Sequence, residues 1–255
     1  MLEKYKLLCL KIIGSGYQTS TIVNYLKNHQ RLKDVVVLRH DVDRNISNAL
    51  KMAKLEHSLG VYSTFYFRHT PLVFNQPVIE QIAEMGHEIG FHYETLSKAH
   101  GDMEKALKLF GNEISEFRAI TSIETISMHG SPMSPFDNRD LWIKNDIKKF
   151  DLLGEAYLSI DYQNLLYFTD TGRSWQRNYS NLRDHHPEMK TNETVRTTNE
   201  LIAFINEKSY PRICISAHPE RWASNFPRWA YSAGFDSLTN VIKSGLHFFA
   251  DKTKN

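Results

Sequence analysis

The amino-acid sequence predicts one α/β domain on a largely parallel sheet, and three observations predict it. Short apolar runs rich in β-branched and aromatic residues alternate with segments of helical period. Three of these runs finish abruptly at polar residues, namely Asp41 and Asp43, His92, and His129. The chain has 255 residues, enough for one large α/β domain or two small ones, and shows no internal repeat, low-complexity tract or linker.

Composition narrows the class. Hydrophobic residues make up 41% and charged residues 24%, as in soluble globular proteins. A formal charge of +2 without a basic run gives no reason to expect nucleic acid as a partner. Cys9 and Cys214 each sit in an apolar run far from the other, which fits buried free thiols in a reducing compartment. The stretch Leu7-Leu8-Cys9-Leu10 is too short, and too closely bracketed by Glu3, Lys6 and Lys11, for a signal peptide or membrane span. The expectation is a cytoplasmic protein with no integral membrane segment. Twelve histidines invite a search for a constellation.

Taken in order, residues 1–34 read as a helical preamble, in which Thr19 or Ser20 caps a segment with Ile22, Val23 and Leu26 as its stripe. Residues 35–255 read as the main domain. Val35-Val36-Val37-Leu38 is a buried strand running into Arg39-His40-Asp41-Val42-Asp43. If the extended chain persists to Asp43, alternation puts Arg39, Asp41 and Asp43 on one side. Two carboxylates so close repel unless a cation, a shared proton or solvent separates them, and a solvated turn is the plain alternative. A helix follows from Asn45 to Ser58, then a strand at Tyr62–Phe67 after Gly60. Pro77 opens a helix that Gly86 stops, and Glu88–Phe91 is a short strand ending at His92. A helix over Asp102–Phe117 and a strand over Ile123–Met128 bring the chain to His129.

Residues 130–190 carry turn signals and few clear periods, although Trp142, Tyr157, Tyr167 and Phe168 imply packing. The pattern returns with a capped helix at Thr198–Glu207, a fourth strand at Arg212–Ala217 ending in His218-Pro219, and a closing helix at Phe235–Ser244.

Several of these pieces, in this order, resemble the polysaccharide deacetylases, metal-dependent amide hydrolases of N-acetylated sugars. Arg39-His40-Asp41-Val42-Asp43 resembles the family's first Asp-x-Asp motif, and Val61–Phe67 its next strand. Gly86-His87-Glu88-Ile89-Gly90-Phe91-His92 matches a Gly-His-Glu-Ile-Gly-x-His segment, the most specific piece, and Ile213–Pro219 resembles the late strand ending in histidine. The pieces span residues 35–219, closely before residue 93 and loosely between 130 and 200. The resemblance implies a distorted (β/α) barrel and a divalent metal cofactor, with zinc first. It also implies Asp41 as general base, Asp43 and His92 as metal ligands, and His218 as general acid.

One position departs from the family. Its second histidine, four residues after the first, is Leu96 here, and leucine cannot ligate. His129 is the expected substitute because it too ends a strand, with Glu94 second. Met128–Pro132 and Asp170–Trp175 read as site loops. Arg39, Glu94, Asp170, Arg173 and Trp222 are the expected substrate contacts, Trp222 and Trp229 because an indole offers an apolar face to a sugar ring. His57, His69, His100 and His247 read as surface residues, His185-His186 as a polar loop, and Tyr66, Phe67 and Phe91 as core.

The functional expectation is a deacetylase acting on an N-acylated sugar or a nucleotide- or lipid-linked sugar intermediate. The alternatives are hydrolysis of a small non-sugar amide or cyclic imide on the same fold, and carbohydrate binding by a decayed site.

Overall fold

Buried β-branched and aromatic runs set the strands, and the chain between them winds back as helices. The computed structural model describes residues 2–131, 134–176, 189–192, 194–223 and 234. Eight strands form one sheet: β1 (Gln18–Ser20), β2 (Val35–Val42), β3 (Thr64–Phe67), β4 (Glu88–Tyr93), β5 (Thr125–Met128), β6 (Gly154–Glu155), β7 (Leu166–Thr169) and β8 (Arg212–Ala217). Their order is β6-β5-β4-β3-β2-β8-β7, every pairing is parallel, and β1 lies beside β2. The helices are α1 (Leu2–Gly14), α2 (Ile22–Asn28), α3 (Ile46–Ser58), α4 (Gln76–Glu84), α5 (Thr95–Lys98), α6 (Met103–Arg118) and α7 (Thr198–Glu207). This is an α/β fold, a distorted (β/α) barrel; among the described residues no ladder joins β6 to β7.

All eight residues of β2 are buried, as expected of a central strand of a parallel sheet. One of its edges carries β8 along Val35–His40. The other is shared end to end, by β1 along Val35–Val37 and by β3 along Arg39–Val42. Residues 1–34 are therefore not a helical preamble alone. They contribute β1 to the sheet, and α1 packs on α7 and α3. Because β1 keeps the chain extended through Ser20, the cap of α2 falls on Thr21, whose side chain accepts from Asn24 N, and not on Thr19 or Ser20. The strands β6 and β7 lie in the stretch whose periodicity was weak.

Local chemistry closes most of the longer helices. Asn45, Asn75 and Asp102 cap α3, α4 and α6 through their side chains, and Thr197 with Glu200 forms a capping box on α7. Outside the barrel wall, Phe91, Phe110 and Phe117 pack with Trp142 and Phe150. Inside it, Gly90 leaves room for the Tyr66 ring, which a Cβ at that position would overlap. Behind β2, His40 Nε2 meets Glu56 at 2.8 Å, and Tyr5 and Ser63 donate to the same carboxylate.

No helix of the described residues is long and apolar enough to cross a membrane. The expected helix at Phe235–Ser244 and the residues Pro132, His185, His186, Pro187, Trp229 and His247 lie outside the described residues.

Candidate metal centre and active site

Six strands are followed, at the very next position, by a charged or ionisable residue: Asp43 after β2, Arg68 after β3, Glu94 after β4, His129 after β5, Asp170 after β7 and His218 after β8. In a parallel barrel these positions share the carboxyl end, where sites of such folds lie. Register adds Asp41 one step below, since β2 stays extended to Val42 and pairs Asp41 with Tyr66.

Two imidazoles turn toward one carboxylate oxygen. Asp43 Oδ1 lies 3.4 Å from His92 Nε2 and 3.6 Å from His129 Nε2, and it is buried without a hydrogen-bond partner. Each ring is fixed through its other nitrogen. His92 Nδ1 lies 2.9 Å from Ser127 O, so it donates there and presents Nε2 to Asp43. His129 Nδ1 lies 2.9 Å from Glu94 Oε2 and 3.1 Å from Ser131 Oγ. The two rings stand edge to face with centroids 5.2 Å apart. Burial pushes the Asp43 carboxyl up, but His129, His92 and His218 prevail and hold it well below the usual range. Burial lowers His129 despite Asp43, which favours the neutral ring; in His92 burial acts the same way, but Asp41 and Asp43 overcome it and raise the imidazole.

Asp41 sits beneath this group in a different setting. The fully buried Arg39 guanidinium holds it, with Nη2 at 2.6 Å from Oδ2 and 2.9 Å from Oδ1. Arg39 also donates to Ser127 Oγ at 2.6 Å and lies over the Tyr157 and Tyr66 rings, 4.6 and 5.2 Å from their centroids. Burial raises the Asp41 carboxyl, yet Arg39 and then His92 and His218 bring it below the ordinary value.

Across the β7–β8 seam, His218 Nδ1 pairs with Asp170 Oδ1 at 2.7 Å. Asp170 also accepts from the His218 backbone N–H, from Arg221 Nη1 at 2.6 Å and from Trp222 Nε1 at 2.9 Å. Burial works against both charges. Arg221 and His218 nevertheless lower Asp170 to about 2. For His218, burial and Arg221 pull down, but Asp170, with Asp43 beyond it, raises the imidazole to about 9.

Among the expected substrate contacts, Arg39, Glu94, Asp170 and Trp222 have partners as follows within the protein. Arg39 is buried under Asp41, Glu94 is held by Arg68 and His129, Asp170 is tied to His218, and Trp222 is buried with its N–H on Asp170. The pairings of Glu94, Asp170 and Trp222 are long-range, which spacing does not show. Arg173 stands half-buried at the end of the loop after β7, in the left-handed region with φ 63°. Leu96 is buried in α5 as part of the core. Among residues that sequence reasoning missed, Arg68 binds Glu94 through Nη2 at 2.8 and 2.9 Å and donates from Nη1 to Asp43 O at 3.2 Å. Its signal was available, because it directly follows a strand. Glu220 is buried beside His218 with Arg44 at 3.5 Å, and Ser127 and Tyr157 line the wall.

Among the described residues, no group of three or more His, Cys, Asp or Glu side chains is arranged so that it could hold a metal ion as it stands. The donor chemistry of Asp43, His92 and His129 nonetheless fits a divalent ion. Ligand atoms of a tetrahedral zinc with bonds of about 2.1 Å stand about 3.4 Å apart. The two Asp43–imidazole separations, 3.4 and 3.6 Å, are of that size, and the Asp43 oxygen lacks any other partner.

Fold and site together define a parallel barrel whose carboxyl end carries a cluster of carboxylates and imidazoles. No family model matches the chain, and no curated protein does. Among solved structures, the chain is similar to a CE4 family pseudoenzyme from Bacillus anthracis, at 14% identity and TM-score 0.44, over 84% of this chain and 62% of that one. It is similar to a family 4 carbohydrate esterase from Bacillus anthracis, at 16% identity and TM-score 0.37, over 71% of this chain and 80% of that one. A peptidoglycan deacetylase from Bacillus subtilis aligns at 10% identity and TM-score 0.40, over 83% of this chain and 97% of that one. The chain spans less than two thirds of the pseudoenzyme's length.

Proposed function

We propose that the chain is a divalent-metal-dependent hydrolase that removes an N-acyl group from a sugar or sugar-containing intermediate. The observation that carries this reading is the convergence of two imidazole Nε2 atoms on one buried, otherwise unpartnered carboxylate oxygen. Asp43, His92 and His129 would hold the ion, zinc being the first choice for one carboxylate and two imidazoles. When bound, such an ion polarises the amide carbonyl and lowers the pKa of water to about 7. The protein's own groups do the rest. Asp41, kept ionised by Arg39, takes the proton of the attacking water. His218, kept charged at neutral pH by Asp170, gives a proton to the departing nitrogen. Arg221 and Trp222 fix Asp170, and Arg173 stands on the loop where a substrate contact is proposed. The carbohydrate part of this reading rests on the motif resemblance.

One observation favours a second reading, carbohydrate binding without turnover: both Asp41 oxygens already accept from Arg39. Acetate release decides between them. Purified protein loaded with zinc or cobalt is expected to release acetate from N-acetylated sugars, and a chelator or Asp41→Asn to abolish it. Stoichiometric metal without acetate from any N-acylated sugar favours the binding reading. A chain that takes up no metal overturns the proposal.

A further inference from the structure

Leu96, buried in α5, stands where the motif resemblance implies a second histidine, and His129, directly after β5, stands beside Asp43 instead. A histidine delivered from a different strand must be aimed. A ring free to turn presents Nδ1 or Nε2 by turns, and only the tautomer with its proton on Nδ1 has a lone pair on Nε2.

The aiming parts form a closed ring of contacts. Glu94 Oε2 lies 2.9 Å from His129 Nδ1 and takes its proton as a hydrogen bond. Arg68 grips the same carboxylate through Nη2 at 2.8 and 2.9 Å and Nε at 3.1 Å. Its Nη1 donates to Asp43 O at 3.2 Å, and Asp43 Oδ1 faces His129 Nε2 at 3.6 Å. The backbone of His129 is held as well, its N–H by Tyr93 O at 2.8 Å and its carbonyl by Asn138 Nδ2 at 2.8 Å. The four side chains come from the ends of four adjacent strands, β2, β3, β4 and β5, so the ring ties the loops of half the barrel together.

We infer that Arg68 and Glu94 are positioning residues that make His129 a metal ligand in place of the donor lost at Leu96. Glu94 fixes the tautomer and direction of the ring, and Arg68 fixes Glu94 while anchoring Asp43 to the same frame. Neither touches the ion. This rests on the reading of Asp43, His92 and His129 as the metal site. Removing such a supporting carboxylate weakens metal binding about 10–100-fold.

The test is a double-mutant cycle on metal affinity, with cobalt(II) and zinc(II) competed against a chromophoric chelator at fixed pH. Glu94→Ala and Arg68→Met are each expected to weaken both metals about 10–100-fold and to alter the cobalt visible spectrum. Glu94→Gln, whose amide oxygen still accepts from Nδ1, is expected to recover part of the loss. In a His129→Ala background, Glu94→Ala should add almost nothing, because its effect runs through that ring. Full affinity in Glu94→Ala overturns the inference, as does an equal loss with and without His129. Glu94→Gln carries the cycle should Glu94→Ala fold poorly. The site reading fails separately: Asp43→Ala that keeps wild-type affinity, or a wild-type chain that binds no cobalt, overturns both.

Discussion

His218 is held between an anion and a cation, and its proton depends on the anion. Its pKa in the folded chain, about 9, is above the ordinary value near 6.5. The sign follows: the charged ring contributes stability that is complete below about pH 6.5 and is lost as pH rises through about 9. Activity that needs the proton should fall on the same alkaline limb. Asp170→Asn removes the stabilising charge and leaves Arg221 unopposed, so the limb should move down by at least one pH unit. Rate profiles of the two proteins against pH check this, and coincident alkaline limbs would show that His218 is not the acid. Arg39 gives a second prediction at this scale. Arg39→Met leaves Asp41 buried and unpaired, and should cost about 3–5 kcal/mol in urea unfolding. Adding Asp41→Asn should recover a large part, whereas strictly additive losses would mean the pair is not coupled. The residues that were legible in the sequence, Asp41, Asp43, His92, His129 and His218, all lie in or just past an apolar run. Apart from Arg39 beside Asp41, their partners were not, because Asp170 with His218, Ser127 with His92 and Glu94 with His129 join positions 48, 35 and 35 residues apart.

At the scale of the element, β4 shows why a glycine sits in a strand otherwise rich in side chains. A Cβ on Gly90 would overlap the Tyr66 ring and come within 3.0 Å of Thr125 O. Gly90→Ala should therefore destabilise by about 1–3 kcal/mol, the usual range for overpacking. It should also weaken metal binding, since His92 lies two residues further along the same strand. Thermal unfolding and metal titration measure both, and an alanine variant as stable as wild type would contradict this packing. The longer elements could be read from sequence because a whole helical face or a run of four or more apolar residues reports them, as in α3, α6, β2 and β8. The elements that escaped are short. β1 has three residues, β6 has two, and Leu166–Thr169 of β7 is buried at every position, so no alternation marks it. Tertiary pairing made these segments strands.

For the molecule as a whole, the site is a joint between loops, and a bound ion would fasten them. Anything that binds only the folded state stabilises it, by about 4 kcal/mol at a thousand times its dissociation constant. For a domain of this size that corresponds to a rise of about 8–16 °C in melting temperature. Zinc is expected to raise the wild-type midpoint by this order and to leave Asp43→Ala unmoved. Equal shifts in both would place the ion elsewhere. The division of β2 between its neighbours has a consequence for the growing chain. One edge of this strand pairs with residues 18–20 and 64–67, but the other has to wait for residues 212–217. During synthesis that edge stays bare while some 170 further residues emerge, and bare apolar edges pair with whatever strand they meet. Within β2, Arg39, His40 and Asp41 interrupt the apolar sequence. Charges so placed act as gatekeepers against aggregation, so Arg39 and Asp41, which pair inside the folded barrel, also guard the nascent strand.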